Sequence, residues 1–193
     1  MDAAGAHEYI LFMVEHPCLS PWKGAVAGGL IAFAWSAISW MALPLHNATI
    51  NQLADPAPVV QALEAAAPRS GVYLVVNDPK GQTAPTDPFV FISYAKSGWG
   101  GMGFSMAMGL LVQGVGAFFW TWILGKIPGL TMKDSALYGA MFGLCVGVLG
   151  SLPNSIWWKF PLPFSALNVL DDVIAYSVAS VVLRRLCRPS DCA

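Results

Sequence analysis

Polar and apolar positions along this chain alternate over long distances. A long segment, 45–97, and a short polar one, 126–134, separate charge-free stretches at 25–44, 98–125 and within 135–158. Each is long enough for a transmembrane helix, which needs roughly 20 mainly apolar residues. A fourth stretch is interrupted. The uncharged runs 160–170 and 173–183 flank two adjacent acids, Asp171 and Asp172, and each run alone is too short to cross a bilayer. They make a span only if both carboxylates lie inside it. The pattern predicts four spans at 23–44, 98–125, 135–153 and 163–186, a membrane all-α fold built as a four-helix bundle.

The segment 45–97 between spans one and two has its own pattern. Asp55 followed by Pro56 predicts a helix start, an N-cap with proline at the first helical position. Val59, Val60, Leu63 and Ala67 then recur at helical spacing. The run 71–76 is apolar and β-branched and predicts a strand, 77–81 has turn chemistry, and 88–94 predicts a second strand. The expectation is a small α+β insertion, helix–strand–strand, which is marginal alone and needs the bundle or a partner to pack on. Residues 1–22 lack a basic start and read as an interfacial or partly ordered segment rather than a signal peptide. Residues 154–162 read as a Trp/Pro re-entry loop, and 187–193 as a tail.

Composition sharpens this picture. The 193 residues are 56% hydrophobic and 11% charged, against about 25% charged in soluble domains. The net charge of −1 gives no basic footprint for nucleic acid. Lys23, Lys126, Lys133, Arg184, Arg185 and Arg188 all fall on one side of a four-span chain. The positive-inside rule then gives N-in, C-in, with 45–97 outside; in a bacterium this is the inner membrane with a periplasmic insertion. Cys18, Cys187 and Cys192 fall on the reducing side and Cys145 within span three, so no disulfide framework is expected.

Small residues recur at helical spacing. Gly139, Gly143, Gly147 and Gly150 share a face of span three, and similar stripes run along span one (Ala25, Gly28, Ala32, Ser36, Ser39) and span two (Gly103, Ala107, Gly114, Ala117, Thr121). Such faces let helices approach closely in lipid. They serve either packing within the bundle or a seam for a second copy or a protein partner. Gln113, mid-span, is expected to bond across helices.

The candidate chemistry gathers at the outer boundary. Asp171 and Asp172 share a span-four face with Ser165, Asn168, Ala175 and Ala179. Arg184 lies about 18 Å of helix rise below Asp172, which puts the acid roughly 10 Å under the outer edge of the hydrocarbon core. Intramembrane acids are functional candidates by default. Either Asp172 bonds neighbouring helices while Asp171 reaches outer water, or the pair holds a proton, a cation or a polar ligand, or both are interfacial. His46 is the sole histidine on the outer side and is placed to meet either acid; the alternative is a loop-capping role. Trp40, Trp157 and Trp158 fit an interfacial aromatic belt. Asn154 beside the last two is either part of that loop or a polar contact for the site. The candidates are thus His46, Asn154, Asp171 and Asp172, with the metal question open.

Several activities find no support. The spans contain no histidine for haem, there is no Cys-x-x-Cys, and no P-loop or dinucleotide fingerprint occurs. Ser105 lacks the following glycine and intramembrane histidine of an intramembrane protease. No cofactor is predicted.

The Leu-Pro-x-His-Asn-x-Thr element at 43–49 and the Pro-Asn-x-x-Trp-Trp element at 153–158 resemble those of small, uncharacterised bacterial inner-membrane proteins with four spans and a first outer loop. That resemblance implies the topology and no activity. The leading expectation is a non-enzymatic accessory or scaffold subunit of a respiratory, photosynthetic or transport complex. The alternative is a site for a proton, a metal ion, or a lipid or quinone headgroup built on the acid pair.

Overall fold

A computed structural model describes residues 20–75, 88–98, 100–127 and 129–186. The expected interfacial segment before residue 20, the turn at 77–81, and the tail with Cys187 and Cys192 lie outside the described residues. Four helices are long and apolar enough to cross a membrane, which marks the chain as a membrane protein. α1 is Pro21–Ala37 and continues as a π-helical turn, Ile38–Ala42. The insertion follows: a single 3₁₀ turn at Asn47–Thr49, α2 at Ala57–Ala66, and an antiparallel pair, β1 at Gly71–Val75 and β2 at Val90–Tyr94. Then come α3 at Met102–Leu124, α4 at Met132–Trp157 and α5 at Leu162–Leu186.

Local chemistry moves several boundaries from their expected places. α3 starts at Met102 rather than 98 because Gly98 and Gly100 both take φ of +81°, outside helical space. α4 starts before the expected 135, where a capping box fixes its first turn. The Thr131 hydroxyl accepts from Asp134 N–H, and the Asp134 side chain accepts from the Thr131 backbone, so two orphan donors are satisfied at once. The same helix runs through Pro153, so Asn154 and Trp157 are helical rather than part of the re-entry loop. The Asn154 side chain donates to Gly150 O at 3.0 Å across that last stretch. The loop is therefore shorter than 154–162. Asp55 is not the N-cap: α2 opens at Ala57 with Pro56 in the cap position, and the Asp55 Oδ1 accepts from Ala57 N–H at 3.1 Å from one residue further out.

The bundle is two helix pairs, α1 on α3 and α4 on α5, joined where α1 meets α5. Small residues set the close contacts. A Cβ on Gly24 would overlap Thr121, and one on Gly29 would lie 2.7 Å from Gly114 Cα. On α4, Gly139 faces Tyr176 and Ser180, Gly143 faces the Asp172 backbone, and Gly147 faces Val169; Gly150 faces open space. Three glycines of the span-three stripe are therefore occupied by α5 of the same chain. Trp120, Leu124, Tyr176 and Leu183 form the buried apolar cluster, with Phe142 stacked on Trp120 at 4.3 Å. Trp120 donates to Ser180 Oγ at 2.7 Å, and Ser155 to Ser165 Oγ at 2.7 Å. Gln113 makes no cross-helix hydrogen bond among the described residues.

Only 22% of each of the first three spans and 28% of the fourth is buried within the chain. Much of the rest is exposed apolar side chain, for example Leu149, Val112, Phe104 and Met141. In water that surface would be a severe liability; against lipid tails it carries no penalty.

Among the described residues the insertion meets the bundle at Phe91. Phe91 on β2 packs on Trp158 at 4.8 Å and on Phe160 at 6.2 Å. Trp157 points outward and is exposed. Lys159 holds φ of +60°, and Phe160 N–H returns to Asn154 O at 3.2 Å, the same carbonyl that accepts from Trp158 N–H at 3.0 Å.

Candidate functional site

The site forms where α1 ends beside the middle of α5. Trp35 and Ser39 are four residues apart on α1, so their side chains lie one above the other on a single face. Ser39 already lies within the π turn, Ile38–Ala42, which is closed by Leu43 N–H to Ile38 O at 3.0 Å. Single π turns recur at functional positions. The chain then bends back at Pro44, and Thr49 ties the bend to the His46 carbonyl through both its N–H and its hydroxyl. That bend turns the His46 side chain inward.

All three side chains converge on one carboxylate. Trp35 Nε1–H donates to Asp171 Oδ1 at 3.2 Å. The Ser39 hydroxyl lies 2.7 Å from Oδ1 and 2.9 Å from Oδ2. His46 Nε2 lies 2.8 Å from Oδ2. Both carboxylate oxygens therefore have partners, all donated by α1 and the turn after it. The Trp40 ring stacks on the imidazole at 3.8 Å and 12° and meets Phe164 edge-on at 6.3 Å, closing the pair from one side. The His46 side chain is 1% exposed and that of Asp171 14%.

Asp171 lies nine residues into α5 from Leu162, or about 14 Å of helix rise. The histidine thus comes from an extramembrane segment by sequence and reaches well down the helix. An ionised carboxylate only accepts, so against it Nε2 is the nitrogen that donates. Nδ1 is buried and is the one fully buried side-chain polar atom without a hydrogen-bond partner among the described residues.

Asp172 lies on a different contact. Its backbone carbonyl faces Gly143, and its Oδ2 approaches the Gly147 position. Among the described residues its carboxylate accepts no hydrogen bond. The expected division of labour is thereby reversed: Asp171 is the acid bonded to a neighbouring helix, and Asp172 is the one without a partner. Asn154 bonds its own helix and does not join the network. Trp40 does join it, as the ring over His46, whereas Trp157 and Trp158 do not. Among the described residues no three His, Cys, Asp or Glu side chains come together as a metal would require; His46 and Asp171 meet as two.

Sequence reasoning missed Trp35, which reads as one more apolar residue of span one, and took Ser39 only as a small packing residue. Their spacing of four, opposite an intramembrane acid, is the signal that would have found them. Chemically, the arrangement holds a carboxylate with three donors and keeps it from solvent. Ser39 bonds the carboxylate rather than the histidine.

No known protein family, curated protein or solved structure matches the chain.

Proposed function

We propose that this chain is a non-enzymatic membrane subunit, an accessory or scaffold protein of the bacterial inner membrane. In this reading the His46–Asp171 network is an internal fastening. It pins the start of the extramembrane segment to the bundle, so that α2 and the strand pair are held in a fixed position for a partner. The observation that carries the reading is the use of both Asp171 oxygens by Trp35, Ser39 and His46. The acid most suited to bind something is already bound to its own chain. The insertion, by contrast, leaves Val60, Val72 and Leu74 exposed, along with the outer edges of a two-stranded sheet, which are natural pairing surfaces. The basic residues on the opposite side of the spans support N-in, C-in, with 45–97 periplasmic.

Co-purification from native membranes in a mild detergent tests this. A stoichiometric complex is expected from the wild type. Leu74→Lys should strip the partner without changing the thermal transition, and Asp172→Asn should leave the partner in place. A monodisperse single chain, indifferent to Leu74→Lys, would sink the scaffold reading.

One observation favours a second reading, a proton or small polar ligand at the acid pair. Asp172 without a hydrogen bond and the buried Nδ1 of His46 are both unspent polar groups. On that reading Asp172→Asn abolishes binding or proton uptake while the fold persists.

A further inference from the structure

α1 and α3 approach backbone to backbone at Gly29 and Gly114, where a side chain on Gly29 would meet the α3 backbone. Alongside this contact lies an open groove. Its wall includes Trp22, Val26 and Leu30 on α1 and Leu111, Val115 and Phe118 on α3, and its volume is about 510 Å³. That falls within the roughly 300–1,000 Å³ typical of small-molecule sites. The wall is apolar throughout. Trp22 packs on Phe118 at 4.8 Å and closes one end.

From Trp22 to Leu30 the groove runs about 12 Å along the helix. One leaflet of a bilayer has a hydrocarbon depth of about 15 Å. The groove therefore matches one leaflet, at the end of the bundle where α1 begins and α3 finishes.

Charge is placed at that same end. Lys23 precedes Val26 by three residues and Leu30 by seven, so it shares their side of α1. On α3, Val115, Phe119 and Trp122 follow one another at spacings of four and three, and Lys126 lies over the Trp122 ring at 5.8 Å. Both lysines are exposed. No acid lies on the described parts of α1 or α3 to offset them. An apolar channel one leaflet deep, with a cation from each wall at its headgroup end, has the pattern of an amphiphile with an anionic head.

We propose that the α1–α3 groove binds one anionic phospholipid, an acyl chain lying between Val26 and Val115 and the phosphate held by Lys23 and Lys126. The occupant is a membrane lipid rather than a soluble ligand, because the groove opens sideways onto the lipid-facing surface. The lysines select the head and the groove holds the chain. The inference depends on the four spans crossing a membrane and is independent of the scaffold reading.

Native mass spectrometry of the detergent-purified protein, titrated with phosphatidylglycerol or phosphatidylcholine of identical acyl chains, tests it. One phosphatidylglycerol per chain is expected, retained roughly thirtyfold better than phosphatidylcholine, the ratio that two lysines contributing about 1 kcal/mol each near an anionic head would give. The double variant Lys23→Gln with Lys126→Gln should erase the preference while keeping chain-dependent retention. Val26→Trp, and separately Leu111→Trp, should fill the groove and remove both lipids with the thermal transition unchanged. Leu149→Trp, on the exposed face of α4, should change nothing. Equal retention of the two lipids by the wild type would overturn the proposal, as would a loss on Leu149→Trp as large as that on Val26→Trp, because bound lipid would then be an unselective annulus.

Discussion

His46 and Asp171 are 125 residues apart in sequence, and their side chains meet at 2.8 Å in a nearly sealed part of the bundle. The contact joins the segment after α1 to the middle of α5. A buried pair of this kind adds little beyond an apolar substitute, but breaking one side leaves the other partner stranded. Asp171→Asn should therefore cost roughly 2–3 kcal/mol, because an amide cannot accept all three donors. His46→Ala should cost a similar amount and remove the Trp40 stack as well. Thermal unfolding in detergent provides the measurement. In a double-mutant cycle of Asp171→Asn and His46→Ala the effects should fall short of additivity by about 1 kcal/mol or more. Additive effects would show that the two residues act separately.

How much of this was legible in the chain varies with the range of the interaction. Three spans followed from charge-free length alone, and the fourth from two uncharged runs too short to cross unless joined through Asp171 and Asp172, since a bilayer imposes that length on any crossing helix. The helix and two strands of the insertion followed from local alternation and turn chemistry. The edges were less legible. Pro153 signals a helix end by local rules, yet α4 continues past it to Trp157. The meeting of His46 with Asp171 was expressed in the sequence only as a possibility, because it depends on the bend after Pro44. The assignment between the two acids was not legible at all. Adjacent positions on a helix point about 100° apart, and which one faces α1 depends on the rotation of α5. That rotation is set by Gly139, Gly143 and Gly147 against Tyr176, Asp172 and Val169.

The glycine stripe of α4 makes a paired prediction. A methyl group at position 143 would overlap the Asp172 carbonyl, and Gly143→Ala should force α4 and α5 apart. Overpacking of this kind costs about 1–3 kcal/mol. Gly150 continues the same stripe but has nothing within 4 Å. Gly150→Ala should be neutral, or stabilising by up to about 1 kcal/mol through helix propensity. Unfolding transitions of the two variants, run side by side, should shift in opposite directions or differ by several degrees. If Gly150→Ala were as damaging as Gly143→Ala, an external partner would have to occupy the open end of the stripe.

The end of α4 offers a stabilising change. Lys159 sits at φ of +60°, a region that penalises any Cβ by roughly 1–2 kcal/mol. Its ammonium recovers part of this by donating to Ile156 O at 3.0 Å. Lys159→Gly removes the strain and the hydrogen bond together. The exposed bond is the smaller quantity, so a net gain of about 0.5–1 kcal/mol is expected. A raised unfolding temperature, with the Trp158 environment unchanged by fluorescence, would confirm it. A loss of stability would mean that the lysine contact outweighs the backbone.

Phe91 tests how the insertion is attached. It is the ring of β2 that reaches Trp158 and Phe160, and Trp158 belongs to the turn that α4 and α5 hold between them. Two strands alone are marginal in water, so the sheet depends on this contact and on Ser70 and Lys96 across its open end, where Lys96 N–H donates to Ser70 Oγ at 2.9 Å. Phe91→Ala should cost the insertion about 1–3 kcal/mol, less than a core phenylalanine because the cluster is only partly buried. The spans should be unaffected, since the extensive contacts that hold them are helix on helix, α4 on α5, α1 on α3 and α1 on α5. Hydrogen exchange should therefore speed up selectively across β1 and β2, while amides of α4 and α5 keep their protection. Acceleration that spread into α5 would show that the insertion and the bundle unfold as one unit, and the sheet would then be a structural part of the membrane domain rather than a module seated on it.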